Sequence, residues 1–359
     1  MISHMSFKKF ALLFALLSTT LFVNGQGSFI KKMLSVPYDS SYISTYISDY
    51  TARVYGSIKY SNMGYNDNMI GQSLAYRPNN KLLFGIGANH GFLGINLGFN
   101  IPYVNQDDDK YGKTDYIDFT LRIFTPRFNT TIYLQNYKGF YLRNTKDIIP
   151  GWQPGDPYYI RPDIRSRTTG LDICYIFNST RFSYRAAILQ NEWQKKSAGS
   201  LLVGGNLFYN ANIGDSSIVP SKIHYTSFYE GLKFIRSNNL SFGPMVGYAH
   251  TFVIKSHIFL MGSINGSGII GFTQLNLVDN VHKVKSKLIF GVRSELILSA
   301  GYNSDRWYFG FSFINLSLVT QAPIPERTIS YDTGMYRLNI VRRFATKKPI
   351  RFLNSGIRR

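Results

Sequence analysis

The chain has 359 residues, 40 Lys plus Arg against 20 Asp plus Glu, a formal charge of +20 and an apolar fraction of 44%. Those values suit one large folded domain or two small ones and exclude a disordered chain. Phe, Tyr and Trp reach 16%, Gly adds 31 residues, and the single Cys174 excludes an internal disulfide framework and any multi-cysteine metal cluster.

At the N-terminus, Lys8 and Lys9 precede an unbroken apolar run from Phe10 to Leu17, which continues through Ser18, Thr19 and Thr20 to Val23. A basic region, a short apolar core and the small-residue exit Val23-Asn24-Gly25 make residues 1–25 a secretory signal peptide, cleaved near Gln26. The run is too short for a membrane helix. No Cys follows it to carry a lipid anchor. Its removal leaves +18 on the remaining chain, so the basic excess belongs to the folded body. No later apolar run can span a bilayer as a helix, and a membrane location therefore requires a closed barrel, the other structure that satisfies its own backbone hydrogen bonds.

From residue 50 onward the period is two. Arg53, Tyr55, Ser57 and Lys59 alternate with Val54, Gly56, Ile58 and Tyr60, and Ile117, Phe119, Leu121 and Ile123 alternate with Asp118, Thr120, Arg122 and Phe124. Similar alternation in 69–77, 82–90, 93–100, 127–138, 169–178, 181–192, 200–210, 239–250, 256–277, 287–299, 305–317 and 335–344 brings the expected number of strands to about fourteen, within 12 to 16. A soluble sandwich also alternates. Aromatic residues near strand ends, such as Trp307 and Phe344, and opposite faces rich in Gly, Ser, Asn, Thr and charge favour an all-β, antiparallel transmembrane β-barrel with a short N-terminal periplasmic segment. The expected divisions are a signal peptide (1–25), an N-terminal lead or plug (26–49), the barrel (50–344) and a basic tail (345–359). The last strand, Tyr336 to Phe344, resembles the C-terminal recognition strand of bacterial outer-membrane barrels, except that the tail follows its closing aromatic residue.

The stretches Tyr175-Ile176-Phe177-Asn178, Arg181-Phe182-Ser183-Tyr184-Arg185 and Gln190-Asn191-Glu192-Trp193-Gln194-Lys195-Lys196-Ser197-Ala198-Gly199-Ser200 carry a more particular likeness. With Gly112-Lys113-Thr114, Asn136 to Tyr141 and Arg161-Pro162-Asp163, they resemble an uncharacterised Bacteroidota outer-membrane family, domain of unknown function number forty-four twenty-one. The resemblance implies a barrel and an outer-membrane location after export. It implies no activity, cofactor or catalytic residue.

With both termini on the periplasmic side, alternating sides backward from Phe344 places 211–238, 278–286 and 320–333 outside. The same count puts Lys195 to Ser197 and the long proline-bearing segment Arg143 to Thr168 on the periplasmic side, where turns are normally short. Either a strand is missed, or the protein builds a periplasmic feature there. Arg161, Asp163, Gln194, Lys195, Lys196 and Ser197 are then candidates for docking a periplasmic protein.

If the apolar faces meet lipid, Arg53, Lys59, Asp118, Arg122, Arg185, Arg293, Glu295, Arg337 and Arg343 face the lumen, seven positive against two negative, an interior favouring anions. The competing arrangement is a network of ion pairs that fills the barrel. The five remaining His show no metal spacing; His90 with Ser73, or His257 with Ser263, is the pair a lipid-modifying enzyme would use. Gly85, Gly87 and Gly91 lack the dinucleotide spacing. The leading expectation is an outer-membrane barrel, with no cofactor, that binds or passes a small anionic or amphipathic solute. Anionic lipid and lipopolysaccharide head groups, rather than nucleic acid, account for the basic charge. The alternatives are a non-conducting accessory barrel that docks periplasmic or secretion-machinery partners, and a lipid-modifying enzyme.

Overall fold

The computed structural model describes residues 37–90, 93–101, 104–278 and 284–345. The expected signal peptide, residues 26–36 of the expected lead, His282 and all but Ala345 of the basic tail lie outside the described residues. The alternating segments form long antiparallel strands: β1 (Ile43–Thr45), β2 (Tyr50–Asp67), β3 (Gln72–Arg77), β4 (Leu82–His90), β5 (Leu93–Asn100), β6 (Asp115–Phe124), β7 (Phe128–Leu142), β8 (Tyr159–Ile176), β9 (Glu192–Gln194), β10 (Ala198–Ile213), β11 (Phe234–Ile254), β12 (Ile258–Leu277), β13 (Val284–Asn303), β14 (Trp307–Gln321) and β15 (Arg327–Phe344). Thirteen of them make one sheet, against the fourteen expected, and β1 pairs with β9 apart from it. Three α-helical turns, α1 (Asp108–Tyr111), α2 (Thr145–Ile148) and α3 (Tyr184–Ile188), and one 3-10 turn (Phe228–Gly231) interrupt the strands among the described residues.

Ten strands close a ring, in the order β15-β14-β13-β12-β11-β10-β8-β7-β3-β2, with β15 joined back to β2 from Phe344↔Tyr50 to Arg327↔Asp67. The start of β2 and the end of β15 therefore lie at one end of the barrel, here the terminal end. The opposite, loop end carries the connections at 143–158, 214–233 and 322–326. The segment Arg143 to Thr168, which counting placed beside the termini, thus starts from the loop end. The count failed because 181–192 is not a strand.

Nearer the terminal end the ring is wider. β2 pairs β3 through Met63–Asp67 but pairs β4 through Thr51–Ile58, because Pro78, which lacks an amide donor, and the residues after it break the returning strand. β4 continues into β5, while β6 lies on β7 through Asn129–Lys138. At Gly139 the strand β7 bulges and exchanges β6 for Arg77 and Tyr76 of β3. Gly139 has φ +91°, and a Cβ there would sit 2.1 Å from the Lys113 carbonyl oxygen. Thr114 Oγ1 donates to the Gly139 carbonyl (2.8 Å), and Asn79 and Lys81 hold Asp107 and Asp108 at 2.7–3.0 Å, so the connection from β5 to β6 is wedged at the switch. Among the described residues β5 and β6 form no ladder with each other. The wide part is a band of twelve strands with one unsealed seam.

The outer wall of that band is apolar. On β11 the outward positions from Leu240 to Ile254 are Leu, Phe, Pro, Val, Tyr, His, Phe and Ile. They cover about 45 Å of strand, roughly 30 Å of height at the usual barrel tilt. Ile264 and Val292 on the neighbouring strands are 62% and 64% exposed. Toward the loop end the outward positions turn polar, with Asn62, Asn66, Arg165, Arg167, Arg236 and Asp332. At the terminal rim Trp193, His257 and Tyr302 stack at 4.9 and 5.3 Å, and Trp307 stacks on Phe309. Gly139→Ala is expected to destabilise the barrel by about 1–3 kcal/mol. Gly71→Ala, where φ is also positive but no atom lies within 4 Å of the new Cβ, should cost less. Apparent melting temperatures by circular dichroism in detergent check the difference.

Candidate functional site

Alternation in 181–192 suggests a strand, but the chain there folds back inside the barrel. Ser183 caps α3, its Oγ accepting from the Ala186 amide (3.2 Å) and donating to the Glu192 carboxylate. Tyr184 bonds Ser263 across the lumen (2.5 Å), and Tyr308 donates its hydroxyl proton to the Ala187 carbonyl (3.0 Å). Arg343 donates to the Gln190 carbonyl (2.7 and 2.9 Å) and to Asn303 Oδ1 (2.8 Å), and it stacks on Tyr46. Arg53 donates to the Leu189 carbonyl (3.0 Å), and the buried Arg185 lies 3.7 Å from Glu192. Residues 39–49 strap this insert through the β1–β9 pairing. The terminal end is therefore plugged, and Arg185, Arg343 and part of Arg53 hold the plug.

Gln194 is buried in the same plug, where its side chain bonds Ser183, Arg181 and Lys196. Lys195 bonds Tyr42 through its backbone, Lys196 is exposed over the Tyr42 ring, and the Ser197 hydroxyl accepts from the Val253 amide. Arg161 and Asp163, expected on the terminal side with them, instead lie at the loop end. There Arg161 bonds the Ser217 carbonyl (2.7 Å) and Ser216 Oγ (3.1 Å), while Asp163 pairs with Arg161 (2.7 Å) and accepts from the Asp215 amide (3.0 Å). The connection they clamp packs Ile218, Val219, Phe228 and Tyr229 into the mouth, where Tyr76 donates to the Ile218 carbonyl and Asp67 receives Arg327 at 3.1 Å. Both ends are filled.

In the middle, Arg293 meets Asp172 at 2.5 Å and stacks on Phe208, and Glu295 accepts from Asn265 (3.0 Å). Asp172, Glu192 and Asp67 are the anions that the inward-charge count missed. Asp172 shares the inward face of β8 with Cys174, so its side was legible; its partner on β13 was not.

The remaining cations gather behind the seam. Lys59 pairs with Asp118 (3.1 Å), whose other oxygen receives Tyr137 (2.7 Å) and Gln135 (3.1 Å). Arg53 donates to Asn96 of β5 (3.2 Å). Arg337 lies over the Tyr55 ring and feels Arg53 on one side and Arg122 of β6 on the other. Arg53 Nε, Arg122 Nη1 and Arg337 Nε are buried with no hydrogen-bond partner. Buried donors are normally satisfied; Arg293 Nε and Arg327 Nε also lack a hydrogen bond, but each of those guanidiniums pairs with a carboxylate, whereas the three behind the seam pair with none among the described residues. Both free edges contribute to this group, Asn96 from β5 and Arg122 from β6.

The His candidates lie elsewhere. His90 stacks on Tyr50 (4.2 Å) at the terminal rim, whereas Ser73 is at the loop end. His257 is in the rim stack, and Ser263 points inward to Tyr184.

The model of the domain of unknown function family DUF4421 matches residues 37–344. The chain belongs to this family. No curated protein matches its sequence. Solved structures that align with it include the outer membrane protease OmpT from Escherichia coli, at 10% identity over 84% of this chain and 98% of that one, with a TM-score of 0.37. The toluene transporter TodX of P. putida aligns at 8% identity over 83% and 91%, with a TM-score of 0.21. An anion-selective porin from Comamonas acidovorans aligns at 9% over 82% and 100%, with a TM-score of 0.16.

Asp172→Asn removes the carboxylate that pairs with the buried Arg293 and is expected to cost about 3–5 kcal/mol. The pair Asp172→Leu with Arg293→Met should recover most of it, as read by urea midpoints in detergent. At the loop end, burial works against the Asp163 carboxylate, but Arg161 and the Asp215 amide outweigh it and hold its pKa below the ordinary value. Its contribution is therefore complete above the unfolded carboxylate value of about 3.9 and is lost as pH falls through the lower folded value. Hydrogen exchange at 214–219 should accelerate in that acid window, and not in Asp163→Asn, where exchange is already fast at neutral pH.

Proposed function

We propose that the protein is an outer-membrane β-barrel that binds an amphipathic anion at the seam between β5 and β6 and passes it between the bilayer and the barrel interior. The roughly 30 Å apolar belt supports a membrane position, since a surface of that size and continuity is not left in water. The termini then face the periplasm, and the polar collar with the loop end faces outward. The observation that carries the reading is the group of orphaned donors on Arg53, Arg122 and Arg337 immediately inside the unsealed edges. An anionic head satisfies them, while an alkyl tail stays beside the outward Leu97, Phe99, Ile117 and Phe119 of the two edge strands.

The plug and the filled loop end bear on the route. Among the described residues Arg343, α3 and Tyr229 stand across a straight water-filled route, which favours movement along the wall. The reading of an accessory barrel loses Arg161, Asp163 and Gln194 as terminal-side contacts and keeps only Lys195, Lys196 and Ser197.

The test uses 11-(dansylamino)undecanoic acid in detergent. Arg122→Ala with Arg337→Ala is expected to weaken its binding at least tenfold, in line with the loss of charged hydrogen bonds of about 1.5–3 kcal/mol each, and to leave binding of an uncharged long-chain alcohol unchanged. Equal affinity in the variant and the wild type overturns the seam reading. Planar bilayers containing the wild-type protein should show no steady ion conductance.

A further inference from the structure

The outer wall from β7 to β12 carries two features that the seam does not use. The first is a shallow apolar groove of about 900 Å³. Its floor is a row across the strands in which Gly205 stands opposite Ile173 and Pro244, and Gly268 follows on β12, between the paired positions Phe242–Ile270 and Met245–Ser267. Three adjacent outward positions thus lack a side chain of any height. A Cβ built at Gly268 meets no atom within 4 Å, and at Gly205 only the Gly243 carbonyl oxygen, at 3.4 Å. Leu207 and Phe242 wall the groove on the loop side.

The second feature lies on β7, β8 and β11, toward the loop end. The ladder sets Lys138 against Arg165, Arg165 against Ile213, and Ile213 against Arg236, with Arg167 two residues further along β8. All four cations point away from the lumen. None has a hydrogen-bond or ion-pair partner among the described residues: Asp163 is taken by Arg161, and Asp115, across the ladder from Lys138, is taken by Lys113 at 3.2 Å. Four unpaired cations side by side repel one another, an arrangement that an external anion relieves. From Arg167 to Ile173, level with the groove floor, is six residues of one strand, about 20 Å. At the tilt of a membrane barrel that is roughly 14 Å of depth, half of a hydrocarbon core of about 30 Å.

We infer that this face is a binding site for a phosphorylated, acylated lipid of the outer leaflet, whose phosphate meets Lys138, Arg165, Arg167 and Arg236 and whose acyl chain lies down the wall into the Gly205–Pro244–Gly268 groove. The site rests on the membrane position given above and is independent of the seam. Charge fixes the head group and depth fixes the tail. A groove alone would accept any lipid chain, and a cation row alone any phosphate.

Native mass spectrometry of the full chain in detergent, titrated with bisphosphorylated lipid A and separately with phosphatidylethanolamine, tests it. Wild-type protein should retain lipid A at least tenfold more tightly. Arg165→Ala/Arg167→Ala/Arg236→Ala should abolish that preference. Gly205→Phe/Gly268→Phe, which fills the groove and changes no charge, should weaken lipid A binding severalfold by itself, and it keeps the test alive should the charge variant fail to fold. Both variants should bind the dansylated acid at the seam as wild type does. Unchanged lipid A affinity in either folded variant, or equal retention of phosphatidylethanolamine by the wild type, overturns the wall site. Loss of seam binding with lipid A binding intact overturns only the seam reading.

Discussion

A sheet closed into a ring satisfies every ladder hydrogen bond, and in an apolar environment it must, because each unmet backbone group costs several kcal/mol. Most of this barrel obeys that constraint without interruption from β7 around to β2. Gly139 marks where the obligation changes hands: β7 leaves β6 there for β3, so ten strands suffice on the loop side and twelve surround the apolar belt. The hairpins on either side of the switch end in edges that do not meet. Everything distinctive about the interior follows from that arrangement, since the plug and the folded loop seal the two ends while the wall keeps one unsealed line.

The interior charges divide along the same boundary. Where the ring is complete, cations are committed: Arg293 to Asp172, Arg343 to plug carbonyls, Arg327 to Asp67. Such pairs add little net stability, yet removing one member leaves a buried charge uncompensated. Behind the seam, Asp118, the carboxylate that Arg337 feels, is already bonded by Lys59, Tyr137 and Gln135, and no ion pair is made by Arg53, Arg122 or Arg337 among the described residues. The imbalance is local. A net count of lumenal charge misses it, because the same excess of arginine is neutral in the middle of the barrel and unmet at the seam.

The period of two made the strands legible, since inward and outward faces of β2, β6, β8, β13 and β15 follow directly from alternation. Arg122, Arg293 and Arg337 therefore face inward as their sequence positions require. What alternation does not encode is whether a segment pairs. Residues 181–192 alternate, but Ser183 offers a helix cap, Ala186 and Ala187 are small, and Tyr184, Arg185 and Glu192 find partners only inside the barrel, so tertiary contacts override the local pattern. That one misread segment shifts the side of every loop before it, which is why Arg161 and Asp163 were expected at the wrong end. The seam has a faint sequence signal, the Pro78-Asn79-Asn80 break and the acidic run at Asp107 to Asp109, but partner switching depends on which strands meet in space.

A sealed lumen and an unsealed wall suit an amphipathic molecule for a simple energetic reason. Taking an alkyl tail through an aqueous pore exposes it to water at about 0.8 kcal/mol per methylene, some 8 kcal/mol for ten. Entering sideways keeps the tail in hydrocarbon, and the barrel has only to replace the hydration of the head. Three buried guanidinium groups there each keep one N–H without a partner, so in the proposed route the anion would meet donors whose own desolvation has been settled by folding. The plug then has a consistent part in the scheme: Arg53 bonds both Asn96 on the free edge and the Leu189 carbonyl of the insert, so a head group that draws Arg53 toward it also loosens one of the hydrogen bonds that hold the terminal end closed.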